Sequence, residues 1–204
     1  MDKLFRYINP KTVVDVGANV GDFTTQIVSK FPTCQCMMIE ANPYCEPFLK
    51  KSTQPYQIIA LSDKEGYREL FVEKQNKTGT GASIYKENTQ WYSEGMYDTV
   101  TVPTSTLDTQ EYFRDKEIDL LKLDVQGSEL DILNGGEKTL QRTNFVLAET
   151  SLTAYNQEAP LIDKVIDKML ECNFRIVDII EYRSFNEIIF QLDILFKRQL
   201  KTIY

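Results

Sequence analysis

Hydrophobic positions along this chain switch between a period of two and a period of about three and a half, and the switches divide it into elements. The β-branched run over residues 12–16 predicts a strand. Phe23, Ile27, Val28 and Phe31 then share one face of a helix that Pro32 stops. Residues 35–39 predict the next strand, 43–51 a short helix and 56–61 a third strand. This alternation predicts a parallel sheet covered by helices, because parallel neighbours need crossover connections. The rhythm breaks over residues 62–116. Within that excursion 67–73 and 98–102 predict a β-hairpin, 77–83 are rich in Gly and Thr, and 106–113 predict a short helix. A long excursion inside an α/β domain is expected to shape a site, with a solvated insertion as the alternative.

Regularity returns at residues 118–123, an apolar strand that runs into Asp124. Ser128 is placed to cap the next helix, with Asp131 three residues on in an approximate capping box, and Leu130, Leu133 and Leu140 are expected to face the sheet. Residues 144–148 predict a strand that ends at Glu149. Pro160 suits a first helical turn, and Leu161, Ile162, Val165, Ile166, Met169 and Leu170 form a wide apolar stripe. Two strands, 174–182 and 187–196, close the chain. The link over 183–186 is too short for a crossover, so this pair is expected to be antiparallel. At 204 residues the whole reads as one α/β domain.

The most specific chemistry lies at the first strand-to-helix turn, Val13-Val14-Asp15-Val16-Gly17-Ala18-Asn19-Val20-Gly21-Asp22-Phe23. A turn without side chains lets the backbone approach a ligand, while the new helix presents unpaired N–H groups. A dinucleotide fingerprint would need a third glycine and would place a pyrophosphate near Asp15, whose carboxylate repels it. The same carboxylate would suit the ammonium of a methionine tail, so the pattern favours S-adenosylmethionine over a nicotinamide dinucleotide. A plain turn that uses glycine for positive φ is the structural alternative. Glu40 ends the second strand at the spacing expected of an acid that accepts both ribose hydroxyls of an adenosine. Asp15, Glu40, Asp124 and Glu149 all fall at or near the carboxyl ends of predicted strands, the edge where open α/β sheets bind ligands. Each alone is also readable as a helix cap or a satisfied loop carboxylate, and for Glu149 the two readings are even.

Charge and composition narrow the chemistry. A formal net charge of −7 without clustered Lys or Arg argues against a nucleic-acid partner. No apolar stretch is long enough to span a bilayer and no leader-like segment opens the chain, so a cytoplasmic protein is expected. The chain contains no histidine, which excludes Ser-His-Asp and Cys-His catalysis and any imidazole-held metal. Cys34, Cys36, Cys45 and Cys172 are expected to be reduced thiols rather than a zinc site.

The segments VVDVGANVGDF, IEANP, ALSDKEG, STLD, IDLLKLDVQGSELDILNGGEKTL and VLAE resemble, in order and spacing over about residues 11–197, the FkbM-type S-adenosylmethionine-dependent methyltransferases. The resemblance implies a Rossmann-like class I methyltransferase fold. Its features are a mostly parallel seven-stranded sheet, an antiparallel last strand and a β-hairpin insertion between the third and fourth core strands. It also implies O-methylation of a sugar, glycan or sugar-bearing natural product. Carried onto this chain, the cofactor contacts fall on Asp15, Gly17, Ala18, Asn19, Gly21, Glu40 and Asn42, with Ser62 and Asp63 near the adenine. Gln126 stands where members commonly have a Glu.

Methyl transfer to a sugar hydroxyl is expected to need a base or a hard divalent ion such as Mg. Asp124 is the first candidate and Glu149 the second, and these two are also the natural ligands of such an ion. Trp91, Tyr92 and Tyr97 are candidates for an aromatic wall against a sugar face or for plain packing. The first strand comes almost at once, so substrate enclosure is expected to rely on the 62–116 excursion or on a second subunit of a homo-oligomer. Two other readings stay open: a nicotinamide-dependent oxidoreductase and a non-catalytic interaction protein on the same fold.

Overall fold

The computed structural model describes residues 1–88, 95–154 and 156–199. Every predicted strand region is found, and the chain runs β1 (Thr12–Val16), α1 (Asp22–Lys30), β2 (Gln35–Glu40), α2 (Glu46–Leu49), β3 (Tyr56–Ile58), β4 (Ala60–Leu61), β5 (Gly66–Glu73) and β6 (Tyr97–Ser105). It continues through β7 (Ile118–Leu123), α3 (Glu129–Asn134), α4 (Glu137–Leu140), β8 (Thr143–Ser151), α5 (Ile162–Glu171), β9 (Phe174–Phe185) and β10 (Ile188–Arg198). Seven strands form the main sheet in the order β3-β2-β1-β7-β8-β10-β9. All neighbours run parallel except β10, which is antiparallel to both β8 and β9.

The central strands β1, β2, β7 and β8 are buried on both faces, as near-continuous apolar strands require, while the edge strand β9 is largely exposed. Val14, Val16, Leu121, Leu123 and Val146 face Ile132, Val165, Met169 and Phe174. Val13, Leu120, Leu147 and Leu195 face Leu4 and Ile27 on the other side. Side chains alternate along a strand, so two residues beyond Val13, Leu120 and Leu147 the pleat carries Asp15, Lys122 and Glu149 out on this α1 face. A row of charge thus lies at the carboxyl ends of three adjacent strands.

The excursion builds a second sheet, β4-β6-β5, with β5 and β6 as an antiparallel pair. The predicted third strand therefore divides. Residues 56–58 pair with β2, while Ala60 and Leu61 leave the main sheet to pair with Thr104 and Ser105. The helix expected over 106–113 is two 3₁₀ turns, Leu107–Thr109 and Glu111–Phe113, separated by the extended backbone of Gln110. Pro160 stands before α5 rather than in its first turn, because Leu161, in extended conformation, is the cap residue. Ser128 makes no side-chain capping bond. The final link is shorter than predicted: Asn186 and Glu187 both have positive φ, the geometry that matches the twist of a two-residue hairpin, so 183–185 belong to β9. The four cysteines carry no disulfide. No helix among the described residues is long and apolar enough to cross a membrane.

Candidate active site

A cleft opens at the carboxyl ends of β1, β2 and β7, where the connections of the parallel strands diverge. Val16, Gly17, Asn19, Glu40, Asp124 and Val125 line it from the main sheet, and Leu70, Gly79, Thr80, Ser83 and Ile84 line it from the excursion. Gly17 has φ +75, and a Cβ there would lie 1.8 Å from the carbonyl oxygen of Asp124. The β1 turn and the end of β7 thus touch backbone to backbone, and only glycine fits between them. The N–H groups of Gly17 and Ala18 donate to the Ile39 carbonyl, which fastens the turn to β2.

Glu40 is the hub of the β2 side of the cleft. Its Oε2 accepts the Asn19 N–H at 2.7 Å and its Oε1 the Asn42 N–H at 2.7 Å. Burial raises its pKa, and those two N–H groups pull against the rise. Each carboxylate oxygen keeps a second acceptor position, so two hydroxyl donors can still be received. The neighbouring asparagines reach upward: Asn19 Nδ2 donates to the Thr78 carbonyl at 3.0 Å and Asn42 Nδ2 to the Lys77 carbonyl at 2.7 Å. They tie the 77–80 stretch of the excursion over the cleft.

Asp15 is placed differently from the expectation. It is wholly buried behind the turn rather than on the cleft wall. Its Oδ2 accepts the Thr24 hydroxyl at 2.8 Å, while Oδ1 has no well-formed hydrogen bond among the described residues and lies 3.3 Å from Lys122 Nζ. An ammonium is therefore already beside it, and it belongs to the protein. The same Nζ is 3.3 Å from Asp124 Oδ2 and from the Gly17 carbonyl. Desolvation works against the Lys122 charge, but the Asp15 and Asp124 carboxylates outweigh it and hold its pKa above the ordinary lysine value. Ala18 packs on Met38 and Leu49, away from the cleft, and Gly21 serves the turn through its φ of +91. Ser62, fully buried, donates to Asp63 Oδ1 at 3.1 Å just beyond the lining residues Ala60 and Leu61.

Asp124 and Glu149 are brought together by Gln126. The Gln126 Nε2 donates to Asp124 Oδ1 at 3.2 Å and to Glu149 Oε2 at 2.6 Å. Gln126 has φ +57 and Gly127 φ +112. Glu129 makes that turn possible, since its carboxylate accepts the N–H groups of Val125 at 3.1 Å and Gly127 at 3.1 Å from within the core. Glu149 also accepts from Arg183 Nε at 3.1 Å and Gln191 Nε2 at 3.2 Å.

The profile of the Methyltransferase FkbM domain matches residues 15–176, most of the chain. This chain belongs to the FkbM methyltransferase family. The FkbM chain is 27% identical over 165 residues to the 2-O-methyltransferase NoeI of Sinorhizobium fredii, covering 73% of this chain and 67% of that protein. It is 26% identical over 175 residues to the methyltransferase sdnD of Sordaria araneosa, covering 68% and 65%. The crystal structure of an FkbM methyltransferase from Methylobacillus flagellatus shares the fold with a TM-score of 0.57 at 14% identity, over 92% of this chain and 43% of that one. The FkbM chain thus spans about two thirds of the length of both curated relatives and under half of that structure.

The acids of this FkbM domain do not fit a divalent ion. Asp124 faces Lys122 and the Gln126 amide, and Glu149 faces Gln126, Gln191 and Arg183, so the positive charges of Lys122 and Arg183 and two amide N–H groups already stand where a hard cation would bring its own charge. Among the described residues no group of three or more acids or thiols converges as a metal site. Glu149 is also poorly suited to be a base. It is buried and off the cleft wall, and burial, with the charges of Asp124, Glu129 and Asp193, pushes its pKa up to about 9 against the pull of Arg183. Of the aromatic candidates, Tyr97 donates to Glu87 at 2.6 Å, whereas Trp91 and Tyr92 lie outside the described residues.

Burial also raises Glu129 to about 7 and Asp193 to about 6. All three acids bind protons more tightly folded than unfolded, so their contribution to stability is full at low pH and is lost as pH rises through about 6, 7 and 9. The melting temperature is expected to fall from about pH 5 to about pH 9, and Glu149→Gln to flatten the fall above neutrality. Calorimetric melts across that range check it, and a wild-type profile level from neutral to alkaline pH would contradict it.

Proposed function

We propose that this FkbM chain transfers a methyl group from S-adenosylmethionine to a hydroxyl of a sugar, glycan or sugar-bearing small molecule. The observation that carries the reading is the convergence of the Gly17 turn, Glu40 and Asp124 on one cleft at the point where strand connections diverge. The cradle fits the cofactor: the glycine turn offers close backbone approach, and Glu40 keeps acceptor capacity for a ribose diol. The cofactor, when bound, supplies a methyl group whose bond to sulfur breaks with its electron pair as the acceptor oxygen forms the new O–CH₃ bond.

Asp124 is the group that takes the hydroxyl proton in this reading. It lines the cleft, and it is held from both sides by Lys122 and Gln126, so little reorganisation is needed when the acceptor arrives. Glu149 anchors Gln126 from behind and is a positioning residue. Asn19 and Asn42 hold the excursion over the cleft, which limits water at the reacting centre. The Sinorhizobium relative is a 2-O-methyltransferase by name, which supports a hydroxyl acceptor.

The test has two stages. In calorimetry the chain is expected to bind S-adenosylhomocysteine and not NADH, and the reverse outcome favours an oxidoreductase. A screen with radiolabelled methyl donor against sugars and glycolipids is then expected to label an acceptor. Cofactor-product binding without any transfer across the screen would favour the interaction-protein reading instead.

A further inference from the structure

Three carboxylates, Asp15, Glu40 and Asp124, gather around the cleft floor, and Lys122 is the buried cation set among them. Its Nζ lies 3.3 Å from Asp15 Oδ1, from Asp124 Oδ2 and from the Gly17 carbonyl, and two of those partners line the cleft. Its residue is 8% exposed, so little water screens its charge from whatever the cleft holds. The methyl donor and its spent product differ by one positive charge, because loss of the methyl group turns a sulfonium into a neutral thioether.

We propose that Lys122 sets how strongly the cleft discriminates the cationic cofactor from its neutral product, by offsetting one carboxylate charge beneath the turn. The inference rests on the S-adenosylmethionine reading and deepens it, since it concerns susceptibility to product inhibition. With the lysine in place the floor is less negative, so the cation is favoured less and the product competes better. A lysine present merely to neutralise Asp15 for folding would weaken or spare both ligands alike, and their affinity ratio would stay fixed.

Calorimetry of the whole chain with S-adenosylmethionine and S-adenosylhomocysteine gives the ratio Kd(product)/Kd(cofactor). Lys122→Met is expected to raise it about tenfold, since a unit charge acting across about 10 Å at an effective dielectric near ~20 is worth about that factor. Lys122→Arg keeps the charge and the wild-type ratio. Removing a buried cation leaves two carboxylates unopposed, so Lys122→Met has a folding risk that the neutral pair Asp15→Asn with Lys122→Met avoids. That pair, measured against Asp15→Asn alone, is expected to show the same tenfold rise, because the lost Nζ contact to the Gly17 carbonyl acts on both ligands alike and the lysine charge does not. Equal ratios in those two proteins overturn the inference while leaving the cofactor reading intact. Wild-type protein that binds neither compound overturns both.

Discussion

Gly17→Ala is expected to eliminate measurable binding of S-adenosylhomocysteine and to lower folding stability by about 3 kcal/mol or more. The new methyl would sit 1.8 Å from the Asp124 carbonyl oxygen, with Val125 Cγ1 at 3.2 Å on another side. Backbone meets backbone there, so no flexible side chain can swing away. Positive φ adds a further penalty of about 1 kcal/mol for any residue with a Cβ. Gly21→Ala is the control. Its φ is also positive, but the nearest atoms, in Leu49 and Met38, are 3.4 Å away, and the loss is expected to be nearer ~1 kcal/mol with binding retained. Urea unfolding and calorimetry on both variants check the pair. If Gly17→Ala bound within about threefold of wild type, the turn would not be the cofactor cradle.

The second large effect belongs to Asp124. Asp124→Asn keeps the shape and can still face Gln126, but it cannot take up a proton. Turnover of the acceptor found in the screen is expected to fall by about a thousandfold, within the range general-base removal usually gives. Affinity for S-adenosylhomocysteine is expected to change by less than about fivefold, since the backbone cradle and Glu40 are untouched. Glu149→Gln separates the two acids. Glu149 lies off the cleft wall and acts through Gln126, so turnover is expected to fall by less than about tenfold. A thousandfold loss in Glu149→Gln with little loss in Asp124→Asn would reverse the assignment.

How much of this was legible in the chain depended on whether the signal was local. Apolar period and glycine spacing are local properties, and they located the strands, the helices at Asp22–Lys30 and Ile162–Glu171, the antiparallel close and the turn at Gly17. The departures came from partners distant in sequence. Residues 56–61 read as one strand, yet Ala60 and Leu61 pair with Thr104 and Ser105, a choice made by the excursion. Asp15 was singled out for its charge, but its environment is decided by Lys122, more than a hundred residues away. The clue to Lys122 was present, a lysine inside the otherwise apolar run Leu120-Leu121-Lys122-Leu123 of a strand buried on both faces, where a charge needs a buried partner. Glu129 hid behind Ser128, since a serine before a helix reads as a cap, whereas the carboxylate after it does the holding. Gln126 gave no local sign that its amide would bridge two acids on different strands.

The roof over the cleft is sewn down by stitches that start in its floor. Asn19 and Asn42 hold Glu40 through their backbone N–H groups, and their side chains grip the Thr78 and Lys77 carbonyls. Floor and roof are therefore anchored on the same two residues, so a change at either asparagine acts on the seat of Glu40 and on the cover above it together.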